Sequence, residues 1–534
     1  MQEKMLEHHI PLFSLETKEE VSKFDFVGFT LQYEMSYSNI LNMLDLAHIP
    51  LLAKERGEDT PFICVGGPCA YNSEMLADFI DFAMLGEGEE IICEVMAAHK
   101  VWKNSGKSKL EFLKTIAQIE GIYVPAFYDV EYYEDGRVKS IVPNVPEAKE
   151  KIKKRIIKDL DKVFYPDELV VPFGTIVHDR IMLEIFRGCI RGCRFCQAGY
   201  IYRPVRQKNV DTLLCSAKNL IDSTGYEEMS LSSLSTSDYT HLEEFTEKLT
   251  QMTEQEKVSL SLPSLRIDNF SIGLMQQVQK VRKSGLTFAP EAGSQRLRDV
   301  INKGICEEDV LRSADLAFRG GWNNIKLYFM IGLPTETDED VMAIATLARK
   351  VWKTYHEIPK DQRAKNLRIT VSVSSFVPKP FTPFQWEKQD PTEEFVRKQN
   401  LLKKELTDKQ ISFKWHDSKT SSLEGVFARS DRRLGKVLLA AYQSGCKFDS
   451  WDEYFRPDLW EKAFADCGID PDFYNRRQRD DDEIFPWEHI DIGVSKKFFL
   501  SEKHKAYTGE VTPNCREKCA GCGATCFDGG VCYE

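Results

Sequence analysis

Nowhere does the chain approach the ~20 consecutive apolar residues that a bilayer-crossing helix needs, which argues against a helical membrane protein. The opening MQEKMLEHHIPLF lacks the basic and apolar regions of a secretory signal, so a cytoplasmic location is expected. Surplus positive charge is missing as well. At net charge -12 and pI near 5.5 the protein has no global attraction for nucleic acid, and only a local basic groove could provide one. With 42% hydrophobic and 29% charged residues it is neither disordered nor membranous. Its 534 residues exceed one compact core and suggest roughly three domains.

What the sequence does have is cysteine, fifteen in all, most of it in two bunches. Bunched cysteines in a reducing compartment point to metal rather than disulfides. Cys189, Cys193 and Cys196 follow a strand-like stretch at 182–186, which places them in the loop at that strand's carboxyl end. Barrel enzymes keep their chemistry at that face. Three thiolates can hold three irons of a cubane cluster whose usual complement is four cysteines, leaving one iron open to chelate a small molecule. Phe195 would lay an aromatic ring beside that molecule. The competing zinc site lacks a fourth ligand, because the next hundred residues offer only the isolated Cys215.

This spacing resembles the radical SAM motif C-x3-C-x-aromatic-C, in which S-adenosylmethionine chelates the unique iron. Downstream, strand-like segments at 182–186, 228–234, 258–264, 286–289, 325–331 and 369–376 alternate with helical patterns at 241–252, 271–283, 307–319 and 338–355. Six such units make the partial (β/α)6 barrel of the radical SAM core. Ser232, Ser233 and Ser235 stand where the superfamily often carries an acid for the methionyl amine; they could accept its hydrogen bonds or cap the next helix. The third strand leads into Arg266 and Asp268. Glu291 and Ser294 match an E-x-G-S segment that contacts ribose and carboxylate in relatives, with helix capping as the alternative role. Gly332, in IGLPTET, would let backbone pass near the adenine, and Glu336 could cap its helix. The run FVPKPFTPFQW, residues 376–386, is similar to the lid segment of methylthiotransferases, an apolar loop with one lysine or a structural clamp.

The first 122 residues repeat strand, glycine turn and helix in the manner of a doubly wound sheet. VGFT, GGPCAYN and GEGEE resemble the Rossmann-like domain of cobalamin-binding-type radical SAM proteins. The family's D-x-H-x-x-G ligand motif is replaced here by Asp45-Leu46-Ala47-His48-Ile49-Pro50. By the same resemblance the domain is truncated at its start, which leaves a sheet edge unpaired; weak or no cobalamin binding is expected. The expected division is therefore 1–122 Rossmann-like domain, 123–174 connector with a β-ribbon around Asp135-Gly136, 175–390 barrel, and 391–534 a mostly helical region with a Cys-rich tail. The basic run 149–154 reads as a solvated helix face. In the tail Cys515, Cys519, Cys522 and Cys526 resemble a full ligand set for a second iron-sulfur cluster or a zinc ion.

The implied protein is an α/β radical SAM enzyme. It would use a 4Fe-4S cluster to cleave S-adenosylmethionine reductively, with flavodoxin or ferredoxin as electron donor. Methyl or methylthio transfer to an unidentified substrate is one outcome the resemblance allows. RNA held locally, at the barrel mouth and the arginine patch 429–433, is one candidate substrate. The alternative is a non-catalytic iron-sulfur or zinc protein of electron transfer or nucleic-acid binding.

Overall fold

The computed structural model describes residues 2–174, 176–262, 266–267 and 286–532. Near the start, β1 (Phe26–Thr30), β2 (Phe62–Gly66), β3 (Phe82–Met84) and β4 (Ile122–Tyr123) form one sheet in sequential order; the first three strands are parallel and β4 is antiparallel. The order never reverses, so these strands lack the switch point of a doubly wound sheet, and β1 is the expected edge. Helix Tyr37–Leu46 follows a 3-10 turn that already sets Ser36 in helical geometry; the Ser36 hydroxyl donates to the Tyr33 carbonyl instead of capping. Where the strand, glycine turn and helix repeat calls for a helix after β2, the chain makes two short 3-10 turns, Pro68–Asn72 and Glu74–Leu76.

The ribbon around Gly136 is present as antiparallel β5 (Tyr128–Tyr132) and β6 (Val138–Pro143). The basic run is not a solvated helix face. It is extended, with β7 (Ile152–Lys153) paired to a late strand, Ile490–Asp491, and Lys154 is buried. The Lys154 ammonium donates to the Ile201 and Arg203 carbonyls at 2.6 and 2.5 Å. A buried cation must find such acceptors or lose its charge.

The barrel consists of two parallel sheets. One contains β8 (Ile181–Glu184), β11 (Glu228–Ser232) and β12 (Ser259–Ser261), with the short β9 (Phe186–Arg187) and β10 (Arg206–Gln207) pairing beside it. The other contains β13 (Leu286–Glu291), β14 (Asn324–Ile331), β15 (Arg368–Ser375) and β16 (Ile411–Trp415). Strand β14 shows the two-residue period: Ile325, Leu327, Phe329 and Ile331 are fully buried between less buried neighbours. The helix expected at 271–283 lies outside the described residues, as does Asp268. Strand β16 was not expected, and it carries the sheet beyond residue 390 through helix Thr392–Glu405.

The region after β16 also differs from a separate helical appendage. Leu423, Val426, Phe427, Leu434, Val437, Leu438 and Trp460 share one core with Tyr37, Leu41, Phe79 and Phe82 of the N-terminal sheet. The two ends of the chain thus close over each other beside the barrel. Among the described residues no helix is long and apolar enough to cross a membrane.

Candidate functional site

Strand β8 ends at Glu184, and the chain then loops through Cys189, Cys193 and Cys196. All three thiols line one cavity of about 300 Å³, together with Arg191, Phe195, Leu234, Ser235, Arg266, Thr287, Glu291 and Lys303. Its walls come from the loops and ends of β8 and β11 and from β13, so the carboxyl face of both sheets supplies it. Burial pushes the Cys189 thiol up to about 11 and Cys196 to about 12, with the neighbouring Cys193 adding to both. Among the described residues no three Cys, His, Asp or Glu side chains are set to hold a single metal ion.

Charge in the cavity is arranged in pairs. Lys303 contacts Glu291 at 3.1 Å; burial alone would lower its pKa, but Glu291 and Cys193 outweigh that and raise it. Arg191 grips the Asp238 carboxylate through two contacts, at 3.0 and 2.5 Å, and Ser235 donates to the same carboxylate. Glu291 itself has φ +66, a conformation rare for a residue with a side chain, and it lies where the β13–β14 register shifts. Strain at such a position is typical of functional sites.

The cysteine loop is braced from behind. Arg194, between Cys193 and Cys196, is fully buried and pairs with the buried Glu502 of helix Lys496–Thr508 at 3.2 Å. It also donates to the Asp299, Val300 and Glu510 carbonyls at 3.1, 3.0 and 2.7 Å.

Comparison with known proteins agrees with this arrangement. Residues 1–125 match the family of radical SAM proteins, N-terminal, and residues 183–348 match the radical SAM superfamily. A relative from Methanocaldococcus jannaschii, Uncharacterized protein MJ0966, is 31% identical over 435 residues, covering 80% of this chain and 83% of that one. The chain belongs to the radical SAM superfamily. An Uncharacterized methyltransferase PH0819 from Pyrococcus horikoshii is 23% identical, over 58% of this chain and 62% of that one. The structure of the radical S-adenosylmethionine methyltransferase TsrM from Kitasatospora setae aligns with a TM-score of 0.47 at 14% identity, over 69% of this chain and 68% of that one.

As a radical SAM enzyme the protein uses a 4Fe-4S cluster and S-adenosylmethionine, and it needs a reductant; the non-catalytic alternative falls away. The residues expected at the site divide into two groups. Cys189, Cys193, Cys196, Phe195, Ser235 and Glu291 line the cavity. Ser232, Ser233, Ser294 and Gly332 are not among its lining residues. Ser233 bonds to Thr236, and Ser294 caps helix Gln295–Val300 by accepting from the Leu297 amide while donating to Asp340. Gly332 (φ +82) turns the chain after β14, where a Cβ would lie 2.5 Å from the Phe395 ring, so protein rather than ligand occupies that side. Glu336 accepts from the Gly332 amide and pairs with Lys398, leaving Thr337 as the helix cap. Sequence reading missed Arg191 and Lys303. Arg191 sits inside the cysteine motif, which was a usable signal; Lys303 lies beyond a helix and had none.

In this radical SAM enzyme the proline-rich segment acts as a clamp. Phe381, Phe384 and Trp386 are buried, with Phe381 against Tyr71 and Trp487, and Trp386 against Phe485. Lys379 pairs with Glu34 at 2.6 Å and Glu424 at 2.8 Å, and Tyr33 donates to Glu424. Glu34 and Cys69 follow the carboxyl ends of β1 and β2, where parallel sheets bind ligands. Here clamp side chains fill that edge. His48 is exposed at the end of helix Tyr37–Leu46, which runs back toward the opposite edge. These residues do not fit a cobalamin held through histidine.

The arginine patch is likewise internal. Arg429 is buried and donates to the Glu387 and Asn475 carbonyls, Arg432 pairs with Glu74 at 2.9 Å, and Arg433 pairs with Asp431 at 2.6 Å. It offers little free charge to RNA.

Proposed function

We propose that Cys189, Cys193 and Cys196 bind three irons of the 4Fe-4S cluster, and that S-adenosylmethionine occupies the remainder of the same cavity. The convergence of the three thiols with Phe195, Ser235 and Glu291 on one space carries this reading. Bound there, the cofactors would supply one-electron reductive cleavage of S-adenosylmethionine, the electron coming from the external donor, and so hydrogen abstraction from an unactivated carbon. Phe195 offers an apolar face and excludes water. Glu291, held by Lys303, accepts hydrogen bonds from hydroxyl or ammonium groups of the ligand. The raised pKa values of Cys189 and Cys196 mean that their thiols release protons when iron binds, so loading strengthens as pH rises. Flavodoxin or ferredoxin is the proposed donor, and a cytoplasmic setting suits fifteen cysteines with no disulfide.

The test is anaerobic reconstitution followed by dithionite and S-adenosylmethionine. Wild type should form 5′-deoxyadenosine, and Cys193→Ala should not. Turnover by Cys193→Ala would overturn the ligand assignment.

A further inference from the structure

The tail repeats the spacing of the first site: Cys515, Cys519 and Cys522 are separated by three and then two residues, as are Cys189, Cys193 and Cys196. In the fold the two loops are joined. The Cys515 amide donates to the carbonyl of Ile190, between Cys189 and Cys193, at 3.1 Å, and the Val531 amide donates to the Val205 carbonyl at 3.0 Å. Gly530 (φ +74) permits the second anchor, because a Cβ there would stand 2.1 Å from the Val205 oxygen. Between the anchors the tail wraps the buried Arg203.

The surroundings single out four of the five tail cysteines. Cys515 and Val531, the residue before Cys532, pack against one apolar cluster that contains Ile190 and Val205, so the two ends of the tail meet beneath the first cysteine loop. The Arg203 guanidinium lies over the Tyr200 ring, 4.7 Å from its centre, and beside Cys522 and Cys515. Cys526 adjoins Cys522 but borders a different groove. Its sulfur stands 3.0 Å from where a Cβ on Gly493 would be, its carbonyl accepts from Lys153 at 3.2 Å, and it lines a groove with Lys153, Arg155 and Lys158.

We propose that Cys515, Cys519, Cys522 and Cys532 ligate a second 4Fe-4S cluster with no open iron, that Arg203 is its buried counter-cation, and that Cys526 is not a ligand. Cys532 thus replaces Cys526 in the set expected from spacing. Iron-sulfur is favoured over zinc because the three-cysteine spacing is the one the chain already uses for a cubane. The four thiolates complete a cluster's usual ligands.

Iron and acid-labile sulfide in the anaerobically reconstituted full chain test this. Wild type should hold about eight irons, two cubanes of four. Cys519→Ser and Cys532→Ser should each fall to about half of that, whereas Cys526→Ser should match wild type. A Cys189→Ala/Cys193→Ala/Cys196→Ala variant leaves the tail untouched and should retain about four irons. Its reduced EPR signal should be unchanged by S-adenosylmethionine. Retention of one zinc and no iron in that variant, or loss of iron in Cys526→Ser but not in Cys532→Ser, would overturn the proposal. About four irons in wild type, all of them lost with the first three cysteines, would also refute the second cluster while sparing the first.

Discussion

Replacing Arg194 with leucine tests whether the cysteine loop depends on its brace. The change leaves Glu502, 2% exposed at its side chain, without its arginine. Breaking a buried pair costs about 3–5 kcal/mol. The lower end applies here, because the other Glu502 oxygen keeps Lys505 at 3.0 Å and Thr512 at 2.7 Å. Three carbonyls lose a donor as well, at about 1 kcal/mol each or more. Allowing for non-additivity, local opening should become easier by about 4 kcal/mol, roughly a thousandfold. Amide hydrogen exchange reads this directly at two protected positions: the Arg194 amide donates to Ile301 and the Cys196 amide to Cys193. Adding Glu502→Leu removes the stranded charge and should restore part of the protection. Acceleration below tenfold, or a double variant no better than the single one, would refute the reasoning.

Glu291→Gln should leave the cluster absorbance intact and weaken S-adenosylmethionine binding by about ten- to a hundredfold, the worth of a charged hydrogen bond, measurable by anaerobic titration. Arg432→Glu sets two carboxylates face to face at Glu74 and should lower stability by about 3 kcal/mol or more in chemical denaturation; unchanged stability would contradict the internal role of the patch. Lys154 is lowered to about 7, first by burial and then by Arg206, with Glu87 and Cys526 opposing. Its folded value lies below the unfolded one near 10.5, so the unfolded chain holds the extra proton and wild-type stability should rise between about pH 7 and 10. Lys154→Met should flatten that slope. Equilibrium dialysis should show no stoichiometric cobalamin uptake, and tight uptake would refute the reading of the filled sheet edge.

That the cysteine loop follows a strand and shares a cavity with Glu291 was legible because the pattern is local: cysteine spacing and a strand's carboxyl end are both written within a few residues. Ser294 and Gly332 matched motifs equally well, yet they stand outside the cavity lining beside distant partners, Asp340 and Phe395, that no local pattern reveals. The same is true of the run 149–154. Its lysines suggest solvent, but Ile152 and Lys153 pair with Ile490 and Asp491 more than three hundred residues away. The order of the N-terminal strands was not legible for a related reason, since it depends on which edge each crossover takes. Strand β16 was hidden by the polar residues of ISFKW, an edge strand with only Ile411 buried.

The brace has a consequence for how the protein is made. Arg194 and Glu502 are 308 residues apart in sequence, and the tail anchor at Ile190 comes later still. At roughly 5–20 residues per second, a ribosome would release the cysteine loop some tens of seconds before the last of its supports exist. Through that interval the three thiols are displayed on a loop held by Asp299, Val300 and Ile301 but not by Glu502, open to oxidation or to the wrong metal. Stable cluster insertion at Cys189, Cys193 and Cys196 should therefore follow completion of the chain, and stalled or prematurely ended products should accumulate iron poorly even when every first-site cysteine has been synthesised.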